Sequence, residues 1–383
     1  MRDPSQHILF LATEYDAPGM RPYARNIINA MWQAGDQVLI VTRHGNDNGA
    51  FPEISPDDIH WIDYPASTLR RAVFRYLPTR LTRAIDDIIA RHGISLVYSL
   101  TGELVLAGSI GRLQRRVPVL YTVHDAVYHD YKFSSPLQWL KDRLIIAWPQ
   151  RYLFGHTRHK VTNSHDQLRL LQERYPRDKA HFAPFPTLVN DKIAGGGKPV
   201  EELRDIPGGY ILFFGTLQYY KGVHLLYEAV LNDPGLSDRH LVIAGTGDIY
   251  FERREGDEGR VTFINRFVDD AEVRDLFSKA AVVVYPYISA TQSGVISLAS
   301  YFGRPMVLAD LPFFKQTCGN SPEGVEFFPA GDRDALKAAI RRALANPGTT
   351  RSLYDAVYSS RAMNEALDKV IGNVLAEKRN KQP

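Results

Sequence analysis

The chain has 383 residues, 44% hydrophobic and 23% charged, with 46 Lys and Arg against 43 Asp and Glu. That composition is ordinary for a soluble globular protein and suggests two domains of usual size. A single cysteine, Cys318, excludes a disulfide framework and a cysteine-based zinc site and fits a reducing compartment, and no run of about twenty apolar residues is present to span a membrane.

Polar Met1–Gln6 lead into the apolar run His7–Ala12, which reads as a first buried strand rather than a signal peptide. Pro18-Gly19-Met20 form a loop before a helix over Tyr23–Gln33, whose Ile27, Ile28 and Met31 share one face and which Gly35 ends. Strands are expected over Gln37–Thr42, Ser95–Ser99 and Val117–Val123, with helices over Leu81–Arg91 and Leu104–Leu113 between them. A further strand over Val161–Asn163 precedes a helix over Asp166–Arg174. This alternation with short connections makes parallel β-α-β units.

Between Pro65 and Lys160 fifteen Lys and Arg stand against six Asp and Glu, with five histidines in addition. Arg70, Arg71, Arg75, Arg80 and Arg83 alternate with Leu69, Val73, Phe74, Leu77 and Leu81. Farther on, Trp139, Leu140, Leu144, Ile145, Ile146 and Trp148 lie near Lys141, Arg143 and Arg151. Basic amphipathic segments with tryptophan suit an anionic membrane surface. The alternative is helices that pack inward and leave solvated arginines, and Pro78 and Pro149 interrupt both segments. No nucleic-acid reading motif accompanies the charge, so no nucleic-acid partner is expected.

Ala194–Gly208 is rich in Gly and Pro and reads as a linker. The alternation then restarts, with strands over Tyr210–Phe214, His240–Ala244, Val261–Phe263, Ala281–Pro286 and Pro305–Leu308. Helices are expected over Gly222–Leu231, Ala271–Lys279, Gly294–Phe302 and Asp334–Ala345, and a last amphipathic stretch over Ser352–Lys378. Ligands of open parallel sheets bind beyond the carboxyl ends of the strands, so residues just after strands are the candidates.

Three segments stand out there. The run Ile211–Phe214 enters Gly215, then Thr216 and a short loop to Lys221-Gly222 at a helix start. Glycine lets a phosphate approach the backbone, the helix N-terminus offers N–H groups, and Lys221 adds a charge. A plain strand–turn–helix with a surface lysine fits the pattern equally well. The strand Leu241–Ala244 ends in Gly245-Thr246-Gly247, against which a base or ribose could lie. The strand before Pro286 leads to Thr291-Gln292-Ser293-Gly294, a polar loop able to hold a diphosphate or simply to cap a helix. Arg266, after Val261–Ile264, is a candidate cation for the same anion. In the first half, His124 stands at a strand end beside Asp125, which is placed to orient it.

In this order and spacing the segments resemble the donor half of family-4 retaining glycosyltransferases of the GT-B fold. Gly215, Leu217, Lys221 and Gly222 match the family's Gly-x-Leu-x-x-x-Lys-Gly loop, and Val242, Gly245 and Gly247 its Val-x-x-Gly-x-Gly. Pro18-Gly19-Met20 sits where the family has its acceptor loop, Thr122-Val-His124-Asp125 resembles its Thr-x-His-Asp segment, and Asn163-Ser164 its later strand end. Two departures are Thr216, where members carry Arg, and Thr291 and Ala299 at or near the places of two glutamates. The chain is similar to a branch with Ala-Thr-Gln-Ser-Gly in that loop.

The resemblance implies two doubly wound Rossmann-like domains facing a central cleft. Residues 1–194 would bind the acceptor, 195–208 link, 209–350 bind the nucleotide sugar, and 351–383 pack back on the N-terminal domain. It implies a retaining hexosyltransferase that moves a sugar from a nucleoside diphosphate, UDP favoured over GDP, to a lipid-linked or saccharide acceptor in bacterial cell-surface polysaccharide or glycolipid synthesis. No permanently bound cofactor and no protein-bound metal are expected. His124, Asp125 and Lys221 would be catalytic. Gly215, Thr216, Gly222, Gly245, Thr246, Gly247, Arg266, Thr291, Gln292, Ser293 and Gly294 would hold the donor, and Pro18, Gly19 and Met20 the acceptor. The expected location is the cytoplasm, with peripheral attachment to the inner membrane face as the variant the basic stretch suits. Two rivals stay open: a module that binds nucleotide sugar without transfer, which the missing glutamates favour, and a sugar-nucleotide epimerase or hydrolase on the same fold.

Overall fold

The computed structural model describes residues 2–17, 19–43, 45, 51, 53–126, 143–290, 293–319 and 322–379. The chain divides into two compact units, Met1–Pro186 with Met363–Pro383, and Thr187–Ala362.

The first unit is built on a parallel seven-stranded sheet of order β3-β2-β1-β4-β5-β6-β7. Its strands are β1 (His7–Ala12), β2 (Gln37–Thr42), β3 (Ile59–Asp63), β4 (Ile94–Ser99), β5 (Val119–Thr122), β6 (His159–Thr162) and β7 (Lys179–Phe182). Successive residues of a strand face opposite sides, and β1 shows it. Ile8, Phe10 and Ala12 join one core with the helix Met20–Met31, while Leu9 and Leu11 join the core on the other face. The first core also takes in Met363, Leu367, Val370, Ile371, Val374 and Leu375 from the last helix, Ser360–Arg379. The second core takes in Phe74, Leu81, Ile85, Leu113 and Leu153 from the helices Thr68–Tyr76, Thr79–His92, Ile110–Arg116 and Trp148–His156.

The second unit repeats the plan with a parallel sheet of order β10-β9-β8-β11-β12-β13. Its strands are β8 (Tyr210–Phe214), β9 (Leu241–Ala244), β10 (Val261–Ile264), β11 (Ala280–Tyr285), β12 (Met306–Ala309) and β13 (Val325–Phe328). Near-continuous apolar runs such as Ala280–Tyr285 are what a sheet covered by helices on both faces requires. Both orders are those of a doubly wound Rossmann sheet, with the order reversing between β1 and β4 and between β8 and β11.

Three regions differ from the sequence expectation. The helix expected over Leu104–Leu113 is a short 3-10 turn, Leu104–Leu106, followed by a separate helix from Ile110. The Gly-rich 195–208 stretch is tied down, because Val200 and Leu203 are buried in the second unit's core. The last amphipathic stretch breaks at Ser359, whose extended backbone separates a π-turn, Tyr354–Tyr358, from the final helix. Tyr354 and Tyr358 pack in the second unit, whereas Met363 and the residues after it pack in the first.

Candidate functional site

In the second unit the segments after β8 and β11 meet at the point where strand order reverses, the usual ligand site of such sheets. They are joined backbone to backbone. Tyr220 O accepts from Ile288 N at 2.7 Å and Ser289 N at 3.4 Å. Gly222 has φ +65°, and a β-carbon there would collide with the Pro286 carbonyl. Gly245, at φ +145°, lies so close to Gly215 that no side chain fits. Gly215 N donates to Ala244 O at 2.9 Å and Leu217 N to Thr246 O at 2.7 Å. Glycines at 222 and 245 therefore serve the close approach of chain to chain.

Lys221 sits inside this arrangement. It is 8% exposed, and its Nζ stands 3.0 Å from the point a β-carbon on Gly215 would occupy. The rings of Tyr220 and Tyr287 flank it at 5.9 and 5.5 Å. Among the described residues no carboxylate pairs with it, and burial alone pushes it down to about 8. Removing an ammonium from water without a counter-charge is costly, and sites that do so are characteristically functional.

The other predicted donor residues fall around it unevenly. Thr216 and Thr246 are exposed, Ser293 is half-buried and Gly294 buried. Thr291 and Gln292 lie outside the described residues. At the start of the helix Val223–Leu231, His224 Nδ1 lies 3.1 Å from the Tyr250 hydroxyl. Arg266 is committed elsewhere: Glu202 accepts from its Nε at 2.7 Å and Nη2 at 2.8 Å, and Glu272 from Nη1 at 2.8 Å. Those two carboxylates hold its guanidinium above the usual arginine range and balance its charge.

In the first unit, His124 follows β5 with Nε2 2.8 Å from Leu100 O. A carbonyl only accepts, so Nε2 carries the proton. Tyr23 meets the ring edge-on at 4.7 Å, and Gln167 Nε2 donates to the His124 carbonyl at 2.8 Å. Burial, opposed by the Leu100 bond and the nearby Asp125 charge, pushes His124 below the usual histidine range. Its orientation thus comes from Leu100, with Asp125 acting through space. Gly19, at φ +78°, precedes the helix that Met20 begins, and Pro18 lies outside the described residues.

Two groups of note escaped the sequence. Glu103 is fully buried after β4 and accepts from Ser99 Oγ, from Thr101 N at 2.8 Å and from Thr101 Oγ1 at 2.5 Å; burial pushes its carboxyl up. Tyr287 is the other. A tyrosine after a hydrophobic strand looks like core, and nothing in the sequence placed it over Lys221.

Residues 18–186 match the family model of a glycosyl transferase 4-like domain, and residues 208–346 that of glycosyl transferases group 1. The chain belongs to the family-4 GT-B glycosyltransferases. These are transferase enzymes, and this glycosyltransferase shares short stretches with curated relatives. It is 31% identical over 147 residues to the Methanocaldococcus jannaschii glycosyltransferase MJ1607, which is 36% of each chain. It is 29% identical over 108 residues to the Pseudomonas aeruginosa D-rhamnosyltransferase WbpZ, 27% of each. The chain thus matches about a third of the length of these relatives. Among solved structures, it is similar to a Thermosynechococcus elongatus sucrose-phosphate synthase (TM-score 0.68, 22% identity, 97% of this chain and 100% of that one). It is also similar to Anabaena HepE in complex with UDP and glucose (TM-score 0.66, 16% identity, 96% and 100%). At such identities these two establish the fold.

Proposed function

We propose that this glycosyltransferase moves a sugar from a nucleoside diphosphate, UDP in the first instance, to a lipid-linked or saccharide acceptor with retention of anomeric configuration. The observation that carries the reading is Lys221, a buried ammonium at the turning point of the second sheet that no carboxylate among the described residues pairs with. As the glycosidic bond breaks, charge develops on the leaving diphosphate, and a preorganised cation there stabilises the transition state more than the ground state. The acceptor hydroxyl attacks the face from which the diphosphate departs, with Gly19, Met20 and His124 on the acceptor side. The choice of UDP is supported by HepE, whose structure holds UDP.

The reading includes an acceptor of bacterial cell-surface polysaccharide or glycolipid synthesis, with peripheral attachment of the enzyme to a membrane. Support comes from the helix Thr68–Tyr76, which has no acidic residue and leaves Leu69 and Leu77 beside it 77% and 64% exposed.

A second reading, nucleotide-sugar binding without transfer, is favoured by one observation. The segment Ser293–Phe302 contains no Asp or Glu, and Ala299 is buried within it.

The test is a thermal-shift screen against UDP, GDP, ADP and their sugar conjugates, followed by turnover with and without acceptor. A ligand that binds only the folded state raises the midpoint by mass action. A rise with UDP and acceptor-dependent release of UDP is the expected result. Binding without release establishes the second reading, and no shift with any nucleotide defeats both.

A further inference from the structure

Among the described residues Lys221 is held in place without a carboxylate. The ring centroids of Tyr220 and Tyr287 lie within the ~6 Å at which an aromatic face attracts a cation. The two rings meet nearly at right angles, 6.1 Å apart. Tyr287 is itself fixed, 1% exposed and packed against Tyr285 at 5.9 Å and Phe314 at 5.4 Å. Its Oη stands 4.0 Å from the same point beside Gly215 that Lys221 Nζ approaches at 3.0 Å. The hydrogen bonds from Ile288 and Ser289 to Tyr220 O join the lysine loop to the tyrosine segment.

We propose that Tyr220 and Tyr287 are positioning residues, a two-ring cage that fixes the Lys221 ammonium over Gly215 while leaving its charge uncancelled for an incoming phosphate. A carboxylate partner would fix the amine equally well, but it would also neutralise it. A ring face attracts the cation and carries no net charge to compete with the ligand. The groups facing this amine fit that role. Tyr220 and Tyr287 are neutral, and Ser293 approaches the Tyr287 hydroxyl. His224, from the following helix, turns its ring to Tyr219 and Tyr250 instead. Among the described residues no charged side chain contributes to the state of Lys221.

The cage rests on the reading of this site as one for a nucleoside diphosphate, so UDP is the probe. Calorimetric titration of the full chain with UDP from pH 6.5 to 10 finds where affinity begins to fall as Lys221 loses its proton. That break is expected near pH 8 in the wild type. Tyr287→Phe keeps the ring and leaves the break in place. Tyr287→Leu removes the ring and its attraction for the ammonium, moves the break down below pH 8, and weakens UDP about tenfold at pH 7. Tyr220→Leu does the same from a more exposed position, where loss of fold is not a concern. Wild type that binds UDP, with the break unmoved in both leucine variants, overturns the cage alone. Wild type that does not bind UDP overturns the donor-site reading and the cage with it.

Discussion

An ammonium buried without a carboxylate works against the stability of its own domain. Lys221 falls from an ordinary value of 10.5 to about 8 on folding. Between those values the unfolded chain holds a proton the folded one lacks, so stability rises as pH climbs from 8 to 10.5. Below 8 both states are protonated and the whole penalty is present, on the order of 3 kcal/mol as an upper bound. Lys221→Met keeps the packing and removes the charge. It is expected to melt at or above the wild type at pH 7, with the difference shrinking by pH 10, while its UDP affinity drops roughly a hundredfold. Melts at the two pH values check this, and a methionine variant less stable at pH 7 would show that the charge is compensated. The residue was legible in sequence because Gly215 and Lys221-Gly222 bracket a loop after an apolar run. Arg266 was legible only as a cation. Its partner Glu202 comes from a distant segment and Glu272 from the first turn of the next helix, and the spacing alone does not announce either pairing.

At the scale of elements, long apolar runs such as His7–Ala12 and Ala280–Tyr285 announced themselves, since central strands are buried on both faces. The strands that went unread were outer ones, β3, β7 and β13. Their sequences, Ile-His-Trp-Ile-Asp, Lys-Ala-His-Phe and Val-Glu-Phe-Phe, mix polar residues with apolar ones, and pairing with a neighbour decides them. The helix Thr68–Tyr76 was legible as a basic amphipathic segment but not in its bounds, because it is apolar on two sides. Phe74 packs into the core, whereas Leu69, Val73, Tyr76 and the following Leu77 are spaced along an outward face. Ile146 and Trp148, on the same side of the sheet, are exposed as well; Trp139, Leu140 and Lys141 lie outside the described residues. Exposed apolar side chains beside arginines are what an interfacial helix presents to anionic lipid. Replacing Leu69, Val73 and Leu77 together with Glu is expected to abolish sedimentation with phosphatidylglycerol vesicles while leaving the melting temperature within a few degrees, because none of the three is buried. Sedimentation equal to that of wild type removes this helix from the membrane contact.

The whole molecule uses one architecture twice, yet its two units are not equivalent in chain connectivity. The second is continuous, Thr187–Ala362, and the first is completed only by Met363–Pro383. The final helix places six apolar side chains, Met363 to Leu375, against Ile8, Phe10 and the helix Met20–Met31. Glu377 adds ion pairs to Arg158 and, at 3.4 Å, to His159 when that ring is protonated. Burying such side chains contributes roughly 1.5–3 kcal/mol each, so the helix supplies on the order of 10 kcal/mol, as much as a whole domain's net stability. A chain ending at Ser359 should therefore lose the first unit's cooperative unfolding, while the second unit still melts cooperatively and still binds UDP. Scanning calorimetry with and without UDP separates the two. A truncated chain that kept both unfolding transitions would mean that the first sheet closes its core without the returning helix, and the buried face of that helix would then need another explanation.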